Sequence, residues 1–185
     1  MILISRSRLR SLRRAKTQQE HTVAASAVSE QLTSTRHFRD AENVALYVAF
    51  DGEIDCHRIL GAALSAGKAC FLPALAGPSL EFREASANSI VNRFGIQEPR
   101  HDATRIPISR LDLILVPLVG FDHRGNRIGM GKGFYDRALA SVRTAPQPVR
   151  VGVAWACQEV PGIVPGEHDV PLHAIVTEDG WRVGP

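Results

Sequence analysis

The residues best suited to chemistry form the segment Arg127-Ile128-Gly129-Met130-Gly131-Lys132-Gly133-Phe134-Tyr135-Asp136-Arg137. Its three glycines stand at alternate positions, so backbone N–H groups can approach an anion without side-chain obstruction. Lys132 and the flanking arginines can neutralise phosphate charge, and Asp136 can hold a hard cation such as Mg2+. An apolar run, Leu111 to Val119, precedes the segment, and a helical pattern, Phe134 to Val142, follows it. This order of strand, glycine loop and helix N-terminus predicts a phosphate site.

The glycine spacing differs from the two best-known phosphate fingerprints. A P-loop has Ser or Thr after its Gly-Lys pair, whereas here Gly133 follows Lys132. A dinucleotide fingerprint is G-x-G-x-x-G, and here the third glycine comes one residue early and lies late in the chain. From spacing alone, a phosphate loop and a tight turn whose charges face water remain equal alternatives.

Helical and strand patterns alternate in the first half of the chain. A helix is predicted from Ser5 to about Thr35, with room for a break near Lys16–Gln19. Val44 to Phe50 indicates a buried strand, and Asp51-Gly52-Glu53 a turn after it. Three further elements are expected: a helix Ile54–Ala66 that ends at Gly67, a strand Ala69–Leu72 stopped by Pro73, and a strand Leu80–Arg83.

The second half continues the alternation after an interruption. Residues 84–109 are polar, contain two prolines and are expected to be irregular. Strands are predicted at Leu111–Val116, which Pro117 stops, at Val149–Trp155 and at Ile175–Thr177. The pattern predicts a single α/β domain over residues 1–185, on which the basic helical segment 1–35 packs. Its largely parallel sheet is expected to be flanked by helices in a doubly wound, three-layer arrangement.

Three polar elements follow predicted strands and are expected to meet at one edge of the sheet. They are Glu53, the glycine loop and Asp169. In open α/β sheets, ligands bind beyond the carboxyl ends of the strands. The sequence therefore predicts a ligand site at that edge of the sheet.

Composition bounds the class of protein. The 185 residues are 44% apolar and 22% charged, as in ordinary globular proteins. No run approaches the roughly 18 apolar residues of a membrane span, and arginines follow the apolar start at once, so a cytoplasmic protein is expected. Cys56, Cys70 and Cys157 are widely spaced, which favours free thiols and disfavours a zinc site.

The positive charge is concentrated at the start of the chain. Six cations and no acid lie before residue 17, namely Arg6, Arg8, Arg10, Arg13, Arg14 and Lys16, whereas the whole chain carries only +3. A solvated helix face, a few arginines turned toward a phosphate, and a nucleic-acid contact are the alternatives. The absence of interleaved aromatic residues disfavours nucleic acid.

Several ordered segments together resemble the 5-formyltetrahydrofolate cyclo-ligase family, also called 5,10-methenyltetrahydrofolate synthetases. The strongest is the glycine loop with the run Val116-Pro117-Leu118-Val119-Gly120-Phe121-Asp122 before it. The others, in chain order, are Arg6-Ser7-Arg8-Leu9-Arg10, Tyr47 through Asp55, Gly67-Lys68, Leu72-Pro73, Phe94 through Pro99, His168-Asp169-Val170-Pro171 and Val176-Thr177-Glu178. The resemblance covers nearly the whole chain.

The resemblance implies a reaction and its participants. ATP and 5-formyltetrahydrofolate, with or without a polyglutamate tail, would give 5,10-methenyltetrahydrofolate, ADP and phosphate, with Mg2+ as cofactor. The formyl oxygen would take the γ-phosphoryl group, and N10 would then close the ring. Phosphoryl transfer depends on positioning and charge neutralisation more than on a protein nucleophile, and the sequence shows no evident nucleophile arrangement. A monomer without membrane or nucleic-acid partners is expected.

The resemblance also implies roles for matching residues. Lys132 and Arg127 are the candidate catalytic cations, and Asp136 and Asp169 the candidate Mg2+ ligands. The candidate ATP-binding residues are Arg6, Arg10, Arg127, Gly129, Met130, Gly131, Lys132, Gly133, Phe134 and Tyr135. The candidate folate-binding residues are Val48, Glu53, Phe94, Met130 and Phe134.

Each role has an ordinary structural alternative. Glu53 can cap the helix that follows it, Asp136 can be a first-turn helix acid, and Phe94 can belong to the core. Three positions depart from the family pattern: Arg6 replaces a lysine, Phe134 a frequent tyrosine, and His173 a frequent aspartate. Intact Lys132, Asp136, Asp169 and Glu53 favour an enzyme over a non-catalytic regulator that binds folate or nucleotide.

Overall fold

An eight-stranded mixed sheet forms the centre of the computed structural model, which describes residues 5–86 and 88–183. The strands are β1 (Asn43–Ala45), β2 (Ala69–Ala76), β3 (Ser79–Glu84), β4 (Ser89–Val91), β5 (Gln97–Pro99), β6 (Arg105–Ile106), β7 (Leu113–Pro117), β8 (Gly120–Phe121), β9 (Arg127–Ile128), β10 (Val149–Val153), β11 (Ala174–Thr177) and β12 (Gly180–Val183). The central order is β12-β11-β10-β7-β1-β2-β3-β6, and β4–β5 and β8–β9 form two small hairpins.

The five inner strands, from β11 to β2, run parallel to one another. Each outer strand pairs antiparallel with its inner neighbour: β12 with β11, β3 with β2, and β6 with β3. From β1 the chain proceeds first to β2 on one side and later to β7, β10 and β11 on the other. The strand order therefore reverses between β1 and β7. Ligand crevices of α/β sheets lie at such a reversal, beyond the carboxyl ends of the strands.

Within the described residues, five α-helices surround the sheet: α1 (Arg6–Arg14), α2 (Gln18–Thr33), α3 (Arg36–Asp40), α4 (His57–Ser65) and α5 (Phe134–Leu139). Short 3-10 turns occupy Ile108–Arg110, Ala140–Val142 and Ala156–Gln158. The break between α1 and α2 falls where it was predicted, because Thr17 and Glu20 form a capping box that begins α2.

Helices cover both faces of the sheet. In β7, Leu113 and Leu115 face the core that contains α2 and α4, and Ile114 and Val116 face the core that contains α5. This alternation is what the twofold period of a strand buried on both sides requires. The predicted α/β class, with a largely parallel sheet between helices, is confirmed.

Three local predictions were wrong. The first concerns Val44 to Phe50, of which only Val44 and Ala45 belong to β1 (Asn43–Ala45). Leu46 still donates its N–H to Phe71, but the chain then leaves the sheet toward a turn in which Asp51 has φ +58°. The apolar character of the remainder reflects its packing against the core and a cavity instead of strand pairing.

The second error concerns Pro73, which was expected to stop a strand but lies inside β2. Phe71 and Leu75 direct their backbone groups toward β1 and the cavity wall, since Phe71 O accepts from Leu46 N and Leu75 N donates to Glu98. Pro73 shares their orientation and lies opposite Phe82 in the ladder to β3. Its missing N–H therefore falls on the side where β1 has already ended.

The third error concerns residues 84–109, which contain the β4–β5 hairpin and the short strand β6. The hairpin is closed by Asn92, whose side-chain oxygen accepts from Phe94 N (2.9 Å) and Ile96 N (3.2 Å), and by Gly95 at φ +77°. Three-residue strands give too short a pattern for alternation to be visible in the sequence.

Candidate active site

A cavity of about 320 Å³ lies at the strand reversal between β1 and β7. Five segments line it: the chain after β1, strands β2 and β3, the end of β7 with the residue after it, the β4–β5 hairpin, and the glycine loop with the first turn of α5. The sequence-predicted folate residues Val48, Glu53, Phe94, Met130 and Phe134 all contribute to its wall. So do Arg127, Gly129, Lys132, Gly133, Tyr135 and Asp136 from the predicted nucleotide loop.

Large apolar side chains at the rim are unusually exposed. Phe50, Phe94 and Met130 are each about 40% exposed and all line the cavity. The rings of Phe94 and Phe134 meet edge to face with their centroids 5.9 Å apart, which links the hairpin to α5. Exposed apolar residues gathered around one concave surface mark a binding site for a flat or apolar ligand.

Glu53 supplies an acidic group beside the apolar side chains of this wall. Its Oε2 accepts from Phe50 N (3.1 Å), and its Oε1 lies 3.4 Å from Arg13 Nη2. Burial raises the pKa of Glu53 to about 7, although the Arg13 guanidinium opposes that shift. At neutral pH the carboxyl group can therefore either donate or accept a hydrogen bond.

Asp51, two residues earlier, is surrounded by three arginines of α1, and we call these four residues the arginine clamp. Arg10 Nε donates to Asp51 Oδ2 (2.7 Å), Arg13 Nη2 to the same oxygen (2.9 Å), and Arg14 to Oδ1. Burial alone would raise the pKa of Asp51, but the arginines lower it to about 2. Three of the α1 arginines are thus engaged with Asp51, although only Arg13 is buried.

The two N-terminal arginines that resemble ATP ligands are placed differently. Arg6 Nε donates to the Gly129 carbonyl at 3.1 Å, so Arg6 lies against the glycine loop. Arg10 is paired with Asp51. Of the two, the structure brings only Arg6 to the loop.

Arg127 is buried and joins two segments of the site. Its guanidinium pairs with Asp136 Oδ1 and donates to the Val170 carbonyl. Val170 N in turn donates to Asp136 Oδ1 at 3.3 Å, which anchors the segment after Asp169 to α5. Arg127 therefore organises the loop as much as it adds charge.

The predicted metal ligands lie in these adjoining segments. Asp136 uses Oδ1 for Arg127 and Val170, and Asp169 uses Oδ2 to accept from Gly166 N at 2.8 Å. Within the part of the chain that the structure describes, no group of three His, Cys, Asp or Glu side chains is arranged to hold a metal. Mg2+ is commonly held by one or two carboxylates, with phosphates and water as the remaining ligands. The carboxylates of Asp136 and Asp169 are donors of this kind.

The glycine loop has the backbone conformation that its sequence indicates. Gly131 and Gly133 have φ of +86° and +64°, in the left-handed region, and Gly133 begins α5. Lys132 between them is exposed at the cavity mouth, where its charge can reach an anion. The loop thus combines accessible backbone and an exposed cation.

Other functional candidates were missed by sequence reasoning. Glu98 is buried, and its Oε2 accepts from Leu75 N (3.1 Å) and Asn92 Nδ2 (3.0 Å) in the cavity wall. The Tyr135 hydroxyl is buried without a hydrogen-bond partner among the described residues, although only a nucleotide role was predicted for Tyr135. The grouping of Glu, Asn and aromatic residues around one hairpin could have suggested Glu98. The burial of the Tyr135 hydroxyl can be recognised only once the fold is known.

The departures from the family pattern have structural counterparts. Phe134 packs on Phe94 instead of offering a hydroxyl. His173 Nδ1 accepts from Arg150 N at 3.0 Å, and burial lowers the pKa of His173. His173 is therefore engaged with the buried Arg150 and does not replace a carboxylate ligand.

The fold and the site define an α/β protein with an apolar ligand cavity beside a glycine loop. Comparison with known proteins agrees: residues 4–178 match the 5-formyltetrahydrofolate cyclo-ligase family. The chain is 36% identical to a 5-formyltetrahydrofolate cyclo-ligase of Escherichia coli (strain K12), over 91% of this chain and 96% of that protein. It is 35% identical to one from Haemophilus influenzae, over 92% and 94% of the two chains.

A solved structure supports the same conclusion. The 5,10-methenyltetrahydrofolate synthetase of Aquifex aeolicus superposes with a TM-score of 0.83 at 30% identity, covering 96% of this chain and 90% of that one. The chain therefore belongs to the 5-formyltetrahydrofolate cyclo-ligase family and is an enzyme of that family, as the resemblance predicted. Among the described residues, none of the helices combines the length and apolar character of a membrane span.

Proposed function

We propose that this enzyme cyclises 5-formyltetrahydrofolate to 5,10-methenyltetrahydrofolate and converts ATP to ADP and phosphate, with Mg2+ as the metal. The observation that carries the proposal is a single cavity with two chemically different walls. One wall is apolar and aromatic and contains Glu53; the other is the glycine loop with Lys132 and Asp136. A pterin and a nucleotide phosphate fit these walls respectively.

The apolar wall suits the folate. Val48, Phe94, Met130 and Phe134 offer contact to the faces of a flat ring system. A pterin ring also carries N–H groups along one edge, and Glu53, one of two glutamates in the cavity lining, can accept from them. Burial raises the pKa of Glu53 and so favours its protonated form. A ligand N–H that donates to the carboxylate favours the ionised form, so binding of the pterin would promote loss of the Glu53 proton.

The glycine loop suits the transferred phosphoryl group. Backbone N–H groups at Gly131 and Gly133 and the ammonium group of Lys132 can surround its oxygens. Asp136 and Asp169 would hold Mg2+, which supplies charge neutralisation at the phosphates. Arg6 lies against the same loop and adds a second cation from α1.

The chemistry needs position and charge, with no covalent enzyme intermediate. The formyl oxygen attacks the γ-phosphorus, an O–P bond forms, and ADP leaves. N10 then bonds to the activated carbon, the C–O bond breaks, phosphate leaves, and N10 releases its proton. Binding of both reactants in one cavity would bring the formyl oxygen and the γ-phosphorus together and would exclude water from the activated intermediate.

The test is the near-ultraviolet absorbance of methenyltetrahydrofolate when the protein meets 5-formyltetrahydrofolate. We expect a rise that requires both ATP and Mg2+, with one ADP formed per product. Binding of folate and ATP without any rise would instead indicate a regulator. Binding of neither ligand would contradict the proposal altogether.

A further inference from the structure

The turn that presents Glu53 has a backbone conformation that needs external support. Asp51 has φ +58°, a left-handed value that few residues other than glycine adopt. Gly52 follows at φ +79°, and a Cβ at that position would lie 3.0 Å from the Arg13 carbonyl oxygen. The turn therefore rests directly on the backbone of α1.

Arg13 is the residue of α1 that reaches furthest into this turn. It is fully buried, which is rare for arginine. Nε donates to the Asp51 carbonyl (2.7 Å), Nη1 to the Leu118 carbonyl (3.0 Å), and Nη2 to Asp51 Oδ2 (2.9 Å). Nη2 also lies 3.4 Å from Glu53 Oε1. One planar group thus joins α1, the turn and the end of β7.

We propose that Arg13 and Asp51 are positioning residues for Glu53. Arg13, which the backbone carbonyls of Asp51 and Leu118 hold in place, turns the carboxyl group into the cavity, and the Asp51 carboxylate opposes the charge of Arg13. The inference rests on the folate-binding role proposed for Glu53. Both residues act through Glu53 and need not touch substrate. Their charges are opposite, so they influence the Glu53 carboxylate in opposite senses.

The charged groups that act most strongly on Glu53 belong to α1 and the turn, and Arg127, Lys132, Asp136 and Glu98 line the same cavity. Burial raises the pKa of Glu53 to about 7, Arg13 and Arg10 of α1 lower it, Phe50 N lowers it, and Asp51 raises it. The neighbours Tyr47, Cys56 and Tyr135 stay neutral near pH 7, because burial raises each of their pKa values, that of Cys56 to about 12. Arg13 is therefore expected to favour ionised Glu53, and Asp51 to oppose it.

Two substitutions separate this role from a merely structural one. Arg13→Gln removes the positive charge, and Asp51→Asn removes the negative charge while keeping a residue that tolerates the left-handed conformation. Both loosen the arginine clamp. If loosening alone mattered, water would enter in both variants and the pKa of Glu53 would move in the same direction in both.

Arg14→Gln is the matched control. Arg14 also pairs with Asp51, but it is half exposed and the structure gives it no contact with Glu53. Its contribution should be screened by solvent. The pKa of Glu53 in Arg14→Gln is expected to stay close to that of the unmodified protein.

The experiment is a carbon-13 NMR titration of glutamate-labelled full-length protein, with Glu53→Gln identifying the Glu53 signal. We expect the pKa of Glu53 to rise in Arg13→Gln and to fall in Asp51→Asn. The KM for 5-formyltetrahydrofolate should rise about tenfold in Arg13→Gln at neutral pH, with the KM for ATP changed much less. The pH profile of kcat/KM for the folate should follow the two pKa shifts.

Shifts in the same direction, or no shift in either variant, would overturn the positioning role. If Arg13→Gln does not fold, Asp51→Asn decides alone: a lower pKa supports the proposal and an equal or higher one refutes it. Failure of the folate role looks different. In that case Glu53→Gln would leave the folate KM unchanged, while the opposite pKa shifts would persist.

Discussion

At the scale of single residues, the site divides into groups that the sequence reveals and groups that it hides. Lys132 and Glu53 could be predicted because each interrupts a pattern, a cation among glycines and an acid in a turn after an apolar run. Arg13 could not, since it lies among six similar cations and only tertiary burial distinguishes it. The Tyr135 hydroxyl was hidden for the same reason.

Replacement of Lys132 tests the phosphate wall. We expect Lys132→Ala to lower kcat about 100-fold, because a cation aimed at developing charge is lost from the transition state. Folate affinity, measured by equilibrium titration, should stay within about twofold, since the folate wall is untouched. Lys132→Arg is the matched control and should retain more activity than alanine because the charge remains. Unchanged turnover in Lys132→Ala would remove the lysine from the mechanism.

Replacement of Glu53 tests the buried carboxyl through stability. Burial raises the pKa of Glu53 from 4.5 to about 7, so the folded state binds this proton more tightly than the unfolded state. The resulting stabilisation is complete below the unfolded pKa and is lost as pH rises through the folded pKa. Relative to Glu53→Gln, the unmodified protein should lose about 3 kcal/mol at most between pH of about 5 and 8.

Urea unfolding at several pH values measures this difference directly. Glutamine resembles the protonated carboxyl group but does not titrate. Glu53→Gln is therefore the reference against which the pH dependence of the unmodified protein is measured. Parallel stability curves for the two proteins would mean that Glu53 has an ordinary pKa in the folded protein.

At the scale of elements, strongly patterned segments were predictable and short ones were not. β7 can be recognised from its own sequence because it is a continuous apolar run. α4 can be recognised because apolar residues precede a glycine that marks its end. The β4–β5 hairpin has three-residue strands, and its shape depends on the Asn92 side chain and on contact with β2 through Glu98. Pro73 was misjudged because a proline interrupts a strand only on the side where a partner needs its N–H.

The glycine loop offers an element-scale prediction with an internal control. Gly131 has φ +86°, whereas Gly129 has no such value, and a Cβ at either position would meet no described atom within 4 Å. Gly131→Ala should therefore cost about 1–2 kcal/mol of backbone strain in the loop. We expect the KM for ATP to rise about tenfold in Gly131→Ala while the KM for folate changes little.

Gly129→Ala adds the same methyl group without the strain. It should leave the loop conformation intact, as judged by thermal stability and by the KM for ATP. Equal defects in the two variants would show that added bulk, and not backbone conformation, disturbs the loop.

At the scale of the whole molecule, the fold assembles the site from distant parts of the chain. The strand reversal between β1 and β7 opens the crevice, α1 locks the Glu53 turn, and Arg127 joins the loop to the segment near Asp169. The α/β class followed from the alternation of elements, but the convergence of these segments follows from sheet order. Monomeric state remains a prediction that sedimentation can check.

The central claim is that the two walls of one cavity bring a formyl oxygen to a γ-phosphoryl group. The most direct measurement uses 5-formyltetrahydrofolate labelled with oxygen-18 in the formyl group, with mass analysis of the phosphate released during turnover. The account predicts that the label appears in the phosphate, one atom per product formed. Unlabelled phosphate at full turnover would contradict phosphoryl activation of the formyl oxygen.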